Sequence, residues 1–116
     1  MAIDEARRGV ELDPNDYERA SLGFVYGLSG KQPEARKLLA ELNKNRNGQK
    51  VSPVYLAFIH VGLGEKDQAF ARLEDAYQDR SALLTQVQLE VIFDPLRSDP
   101  RLQDLWQRSE IRFKEE

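Results

Sequence analysis

The chain has 116 residues, with 17 Lys and Arg against 20 Asp and Glu, a net charge of −3 and no cysteine. That length suits one domain with a core of its own, and the charge gives no field that would draw nucleic acid or anionic lipid. The lack of thiols excludes disulfides, thiol catalysis and cysteine-held zinc.

No apolar run approaches the roughly 20 residues of a membrane-spanning helix. Met1-Ala2-Ile3-Asp4-Glu5-Ala6 lacks the basic start and apolar stretch of a secretory signal, so no membrane association is expected and the cytoplasm is the expected compartment.

In chain order, Ile3, Ala6 and Val10 recur at helical spacing from Ala2 to Leu12, with Asp4 and Glu5 early, where the positive end of a helix dipole favours them. Asp13-Pro14-Asn15-Asp16 supplies a turn and a cap. The spacing then predicts a second helix from Tyr17 to Ser29, stopped by Gly30. Pro33 suits the first turn of a third helix, which runs to about Asn43 with Ala35, Leu38, Leu39 and Leu42 inward. Asn43 to Gly48, polar and rich in asparagine, predicts a mobile surface loop.

Ser52-Pro53 pairs a cap with a first-turn proline and opens a helix that ends at Gly64. Its partner, Lys66 to about Gln78, turns Ala69, Phe70, Leu73, Ala76 and Tyr77 inward. After Ser81 a further helix is expected over Ala82 to about Val91, with Leu83, Leu84, Val87 and Ile92 near helical spacing. Two prolines keep Phe93 to Pro100 from forming a long helix. Asp99 and Pro100 start the last helix, with Leu102, Leu105, Trp106 and Phe113 on one face.

The stretch from Leu22 to Leu42 comes back from Leu56 to Ala76. Leu22, Gly23, Tyr26, Gly30, Ala35, Leu39 and Leu42 stand 34 residues before Leu56, Ala57, His60, Gly64, Ala69, Leu73 and Ala76. A fixed period of that length, with small residues where helices approach closely, marks a stacked helix-turn-helix repeat. The pattern resembles the tetratricopeptide repeat (TPR): Leu22-Gly23-x2-Tyr26 with Ala35-x3-Leu39, then Leu56-Ala57-x2-His60 with Ala69-x3-Leu73. It departs from the family in lacking the first aromatic, where Arg19 and Pro53 stand, and the closing proline, where Asn47 and Ser81 stand.

The resemblance implies an all-α, right-handed TPR-like superhelix of antiparallel helix pairs, about six helices in all. Residues 1–15 would be a partial repeat, 16–49 and 50–80 full repeats, and 81–116 C-terminal capping helices. Opening on half a repeat predicts a segment of a longer protein. Leu63 to Ala69 together with Phe93 to Arg101 is similar to the closing portion of repeat arrays in bacterial multidomain signalling regulators.

Candidate chemistry is sparse. His60 is the only histidine, and Gly64 stands four residues on, where a helical carboxylate partner would be needed. Glu65, Asp67, Glu74 and Asp75 could be acid/base pairs, but each lies where a helix start or solvated face is expected. Gly62-x-Gly64 follows a helix rather than a strand, so helix packing and helix stop explain it better than a phosphate loop. Arg97, Arg101, Arg108 and Arg112 are interleaved with Asp94, Asp99, Asp104 and Glu110, which predicts a salt-bridged outer face. Trp106 among leucines reads as a core anchor. The chain is therefore expected to be no enzyme and to use no cofactor or metal.

The first helix of each pair in such repeats lines a concave face. Tyr17, Ala20, Phe24 and Gly27 fall there, with Val51, Val54, Phe58 and Val61 as their counterparts. That column is apolar and lacks the Lys, Arg or Asn needed to clamp a peptide's terminal carboxylate. Burying such a stripe is worth about 25 cal/mol per Å². Its covering would be the chain's own Leu102, Leu105 and Trp106, a second copy in a homodimer, or an amphipathic partner.

The expected function is a non-catalytic protein-interaction module that binds an apolar peptide or helix, or itself, through Tyr17, Ala20, Phe24, Val51, Val54, Phe58 and Val61. Alanine at Phe24 and Phe58 is expected to weaken binding with helix content intact. The alternative is a small-molecule sensor with a pocket between the groove and the last helix.

Overall fold

The computed structural model describes residues 3–44, 51–81, 83–86 and 90–114, with the backbone alone at 85, 86 and 110–114. The expected mobile loop over Asn43 to Gly48 lies for the most part outside the described residues, as do Val87 and the side chain of Phe113.

The described residues form seven α-helices and one 3-10 turn, with no strand among them. They are α1 (Ile3–Leu12), α2 (Asp16–Leu28), α3 (Gln32–Leu42), α4 (Pro53–Gly62), α5 (Lys66–Gln78), α6 (Leu83–Gln86), the 3-10 turn Val91–Leu96 and α7 (Pro100–Lys114). No described helix is long and apolar enough to cross a membrane.

Local chemistry sets the helix starts. Asn15 caps α2 by accepting the Glu18 N–H at 2.8 Å, and Ser52 caps α4 by accepting the Val54 N–H at 3.3 Å, with Pro53 first in the helix. The stops are equally local. The Gly30 N–H donates to the Gly27 carbonyl at 3.2 Å and the Lys31 N–H to Tyr26 at 2.9 Å, and the same pair of bonds recurs from Gly64 to Val61 and from Glu65 to His60. Both glycines are left-handed, with φ of 79° and 77°, a conformation that leaves no comfortable place for a Cβ. A third such stop closes α5 with Arg80 at φ 56°, held there without glycine.

The helices sort into central and outer ones. Residues Ala20 to Tyr26 of α2 are buried without interruption, and α4 buries all but Tyr55 and His60 between Val54 and Gly62. Helices apolar on every side belong in the middle of a layer of others. Outer α3 and α5 bury one stripe each, Ala35 and Leu42 in the first, and Ala69, Phe70, Leu73 and Ala76 in the second. Leu38, Leu39 and Tyr77, expected inward, are partly buried against that core.

The 34-residue period survives folding. Helices α3, α5 and α7 begin at Gln32, Lys66 and Pro100. Side chains 34 residues apart meet across the last interface: Asp67 with Arg101 at 2.9 Å, and Glu74 with Arg108.

One element departs from expectation. Of the helix expected over Ala82 to Val91, the described residues form α6 over Leu83–Gln86, residues 82 and 87–89 lie outside the described residues, and Val91 belongs instead to the 3-10 turn, with Pro95 inside it. Pro95 lacks the N–H that an α-helix would use and restricts Asp94 before it, so Val91–Leu96 winds as a tighter turn.

Candidate functional site

Tyr17 in the first turn of α2 and Tyr55 in the first turn of α4 place their rings edge to face, with centroids 6.4 Å apart. Phe58, one turn further along α4, meets Tyr17 at 5.9 Å and Tyr55 at 5.6 Å, both near perpendicular. From Phe58 the contacts pass to Phe93 of the 3-10 turn at 5.5 Å, and from Phe93 to Trp106 of α7 at 6.1 Å. Four elements thus contribute to one aromatic run, in which each edge-to-face pair adds roughly 0.5–1.5 kcal/mol beyond area burial.

The seven residues expected to line an open apolar face divide sharply. Ala20, Val54 and Phe58 are wholly buried, and Val61 and Phe24 nearly so, at 5% and 7% exposure. Tyr17 and Val51 alone are partly exposed. Self-covering accounts for part of this: Leu102 and Leu105 are buried, Trp106 packs on Phe93, and Phe93 packs on Phe58. Gly27 lies against the backbone of Gly62 and Leu63, where α2 crosses α4. The Phe24 and Phe58 alanine test is corrected accordingly, because truncating a buried Phe removes about 3–5 kcal/mol of stability and helix content would not stay intact.

The sequence did not single out Tyr55, Phe93 or Glu90. Phe24, Phe58 and Phe93 recur at intervals of 34 and 35 residues, a signal that was available. The Tyr17 hydroxyl donates to Glu90 Oε1 at 3.0 Å, a bond spanning 73 residues that no local pattern announces. Burial, then the Glu90 bond, pushes the Tyr17 phenol above its ordinary pKa, and burial, then the charge of Asp16, does the same to Tyr55. The two tyrosines at the partly exposed mouth of the face thus keep their phenol protons, with the carboxylates of Glu90 and Asp16 beside them.

His60 has a carboxylate partner after all. Its Nδ1 lies 3.0 Å from Glu65 Oε1, and Arg36 of α3 donates to Glu65 Oε2 at 2.9 Å. A test at four residues along a helix misses Glu65, because α4 ends at Gly62 and the left-handed Gly64 folds the chain back. Arg36 first, and His60 second, hold the Glu65 carboxyl below the usual carboxylate range against the opposing effect of burial.

The other carboxylates considered for acid/base work also bind arginines: Asp67 to Arg101, Glu74 to Arg108 and Asp75 to Arg72 at 3.3 Å. The interleaved arginines of the C-terminal segment pair as their spacing predicted, Arg97 with Asp94, Arg101 with Asp99 and Arg108 with Asp104. Arg112 and Glu110 lie outside the described side chains. No group of three or more metal-ligating side chains is found among the described residues.

A cleft of about 380 Å³ opens between Asn43, Val51, Pro53 and Leu56 on one side and Arg72, Asp75, Gln78 and Asp79 on the other. A smaller one of about 250 Å³ lies beside Arg97, Leu102, Gln103 and Trp106. Comparison with family models, with curated proteins and with solved structures finds no match to this chain.

Proposed function

We propose that this chain is a non-catalytic protein-interaction module of the tetratricopeptide type, which holds an apolar peptide or helix at the aromatic mouth formed by Tyr17 and Tyr55. The observation that carries the reading is the 34-residue period, which recurs in sequence, in the left-handed glycines and in the side-chain pairs joining α5 to α7. A chain built from stacked helix pairs offers a continuous surface rather than an enclosed reaction site. In this reading the module serves a bacterial signalling regulator in the cytoplasm.

Self-association is the other use of the same architecture. Leu28 stands 34 residues before Gly62, the residue that packs on the preceding central helix, and Leu28 is 60% exposed. A second copy or a preceding repeat would cover it. The sensor reading has less support, since the cleft beside the last helix, at about 250 Å³, falls below the roughly 300–1,000 Å³ typical of small-molecule sites.

Panning a display library of apolar and amphipathic peptides against the chain tests the proposal. Binders are expected whose affinity falls at least about tenfold on Tyr17→Ala or Tyr55→Ala, with helix content preserved. A library that yields no binders, or binders indifferent to both substitutions, would remove this reading. Light scattering of the purified chain separates a monomer from a self-covering dimer.

A further inference from the structure

The two interfaces that build the stack are made differently. Where α2 crosses α4, a methyl on Gly27 would lie 2.5 Å from the Gly62 carbonyl carbon, and one on Gly62 would lie 2.8 Å from Phe24 Cα. Backbone rests on backbone there, and nothing slides without breaking the core.

The third unit joins the core through buried Phe93, Leu102 and Leu105, and the outer rim of that contact is made by side-chain tips. Arg101 lies over the Phe70 ring at 4.3 Å while binding Asp67, and Arg108, seven residues on, lies over Tyr77 at 5.0 Å while binding Glu74. All four charged side chains are at least 36% exposed, so each pair contributes little and salt weakens it. The first element of this unit is a six-residue 3-10 turn with poorer hydrogen-bond geometry than a helix.

We propose that the 3-10 turn and α7 form an intramolecular cover over the aromatic face, which opens as a unit while α1 to α5 stay folded. Opening takes Phe93 off Phe58 and Glu90 off Tyr17, and so exposes the inner part of the face that the closed chain hides. The contact is autoinhibitory toward any partner that uses this face. In a stack where each unit touches only its neighbours, an end unit can part from the rest at less than the global unfolding free energy. α1 to α5 keep their shared core, since Gly27, Gly62, Gly23 and Ile59 lie wholly outside the cover. The inference rests on the proposed use of this face by a partner.

The only tryptophan, Trp106, lies in the cover and packs partly buried against the shared core, so its emission reports whether the cover is seated. Urea unfolding of the full chain is followed by Trp106 fluorescence and by far-ultraviolet dichroism, in the natural chain and in Arg101→Ala/Arg108→Ala. The Trp106 transition is expected at lower urea than the helix transition. The double variant is expected to weaken closure about tenfold, moving the Trp106 transition and raising binding of an apolar dye before any helix is lost. Superimposed transitions in both proteins, or a double variant that shifts both signals equally, would overturn the cover. Separate transitions without any peptide binding would leave the cover in place and remove only the partner reading.

Discussion

Gly27 and Gly62 meet without side chains between them, and the backbone of Phe24 lies against Gly62 on the same crossing. This contact sets how closely the two central helices approach, and with it the meeting of Tyr17 on one helix with Phe58 on the other. Gly62→Ala and Gly27→Ala are expected to destabilise the fold by about 3 kcal/mol each, since the clash is with backbone and cannot be relieved by a rotamer. Gly23→Ala, which meets the flexible Ile59 side chain, is expected to lose less, about 1 kcal/mol. Urea denaturation midpoints check the order, and equal losses at all three would refute the close crossing.

Gly30 and Gly64 test a different cause. A Cβ at either position has open space around it, so only the backbone opposes it. Alanine at each is expected to lower stability by about 1 kcal/mol, with asparagine recovering part of the loss. A neutral alanine at Gly64 would mean that the left-handed stop after α4 is not what reverses the chain.

Glu65 predicts an acid dependence. Its folded pKa is depressed, so its contribution is present above the unfolded value, near 4.5, and is lost as pH falls through the folded value. Glu65→Gln is expected to remove about 1 kcal/mol at neutral pH and less at low pH, because the natural carboxyl is by then protonated too. Thermal melts of both proteins across that range decide it, and parallel curves would show that Arg36 and His60 do not hold this carboxylate.

Tyr17 works in the opposite pH range. Its phenol pKa is raised, so the folded chain keeps a proton that the unfolded chain releases above pH 10, and stability falls as pH rises beyond that point. Tyr17→Phe keeps the ring contacts and loses the bond to Glu90, at a cost of about 1 kcal/mol. Absorbance titration of tyrosinate, compared between the two proteins, is expected to lose one late-titrating component in the variant.

Some features were legible residue by residue. Helix α5 runs from Lys66 to Gln78 as its periodicity required, Ser52 with Pro53 opens α4, and Gly64 serves as a helix stop and Gly62 as a packing residue. The salt-bridged outer face of the 3-10 turn and α7 follows from charges three and four residues apart, or two in the case of Asp99 and Arg101. The pairing of His60 with Glu65 was missed because a four-residue test assumes a helix that had already ended.

The sequence by itself determined where helices start and stop, which of them are apolar all round, and the 34-residue period that stacks them, because caps, φ preferences and side-chain spacing act within a turn or two of chain. Only the tertiary structure decided that Phe58 would face Phe93, that Tyr17 would reach Glu90, and that five of the seven residues on the expected open face would be sealed inside. Those outcomes depend on how closely α2 and α4 cross and on the proline-bearing turn Val91–Leu96. Such packing terms couple residues 35 to 73 positions apart and leave no trace in any local window of the chain.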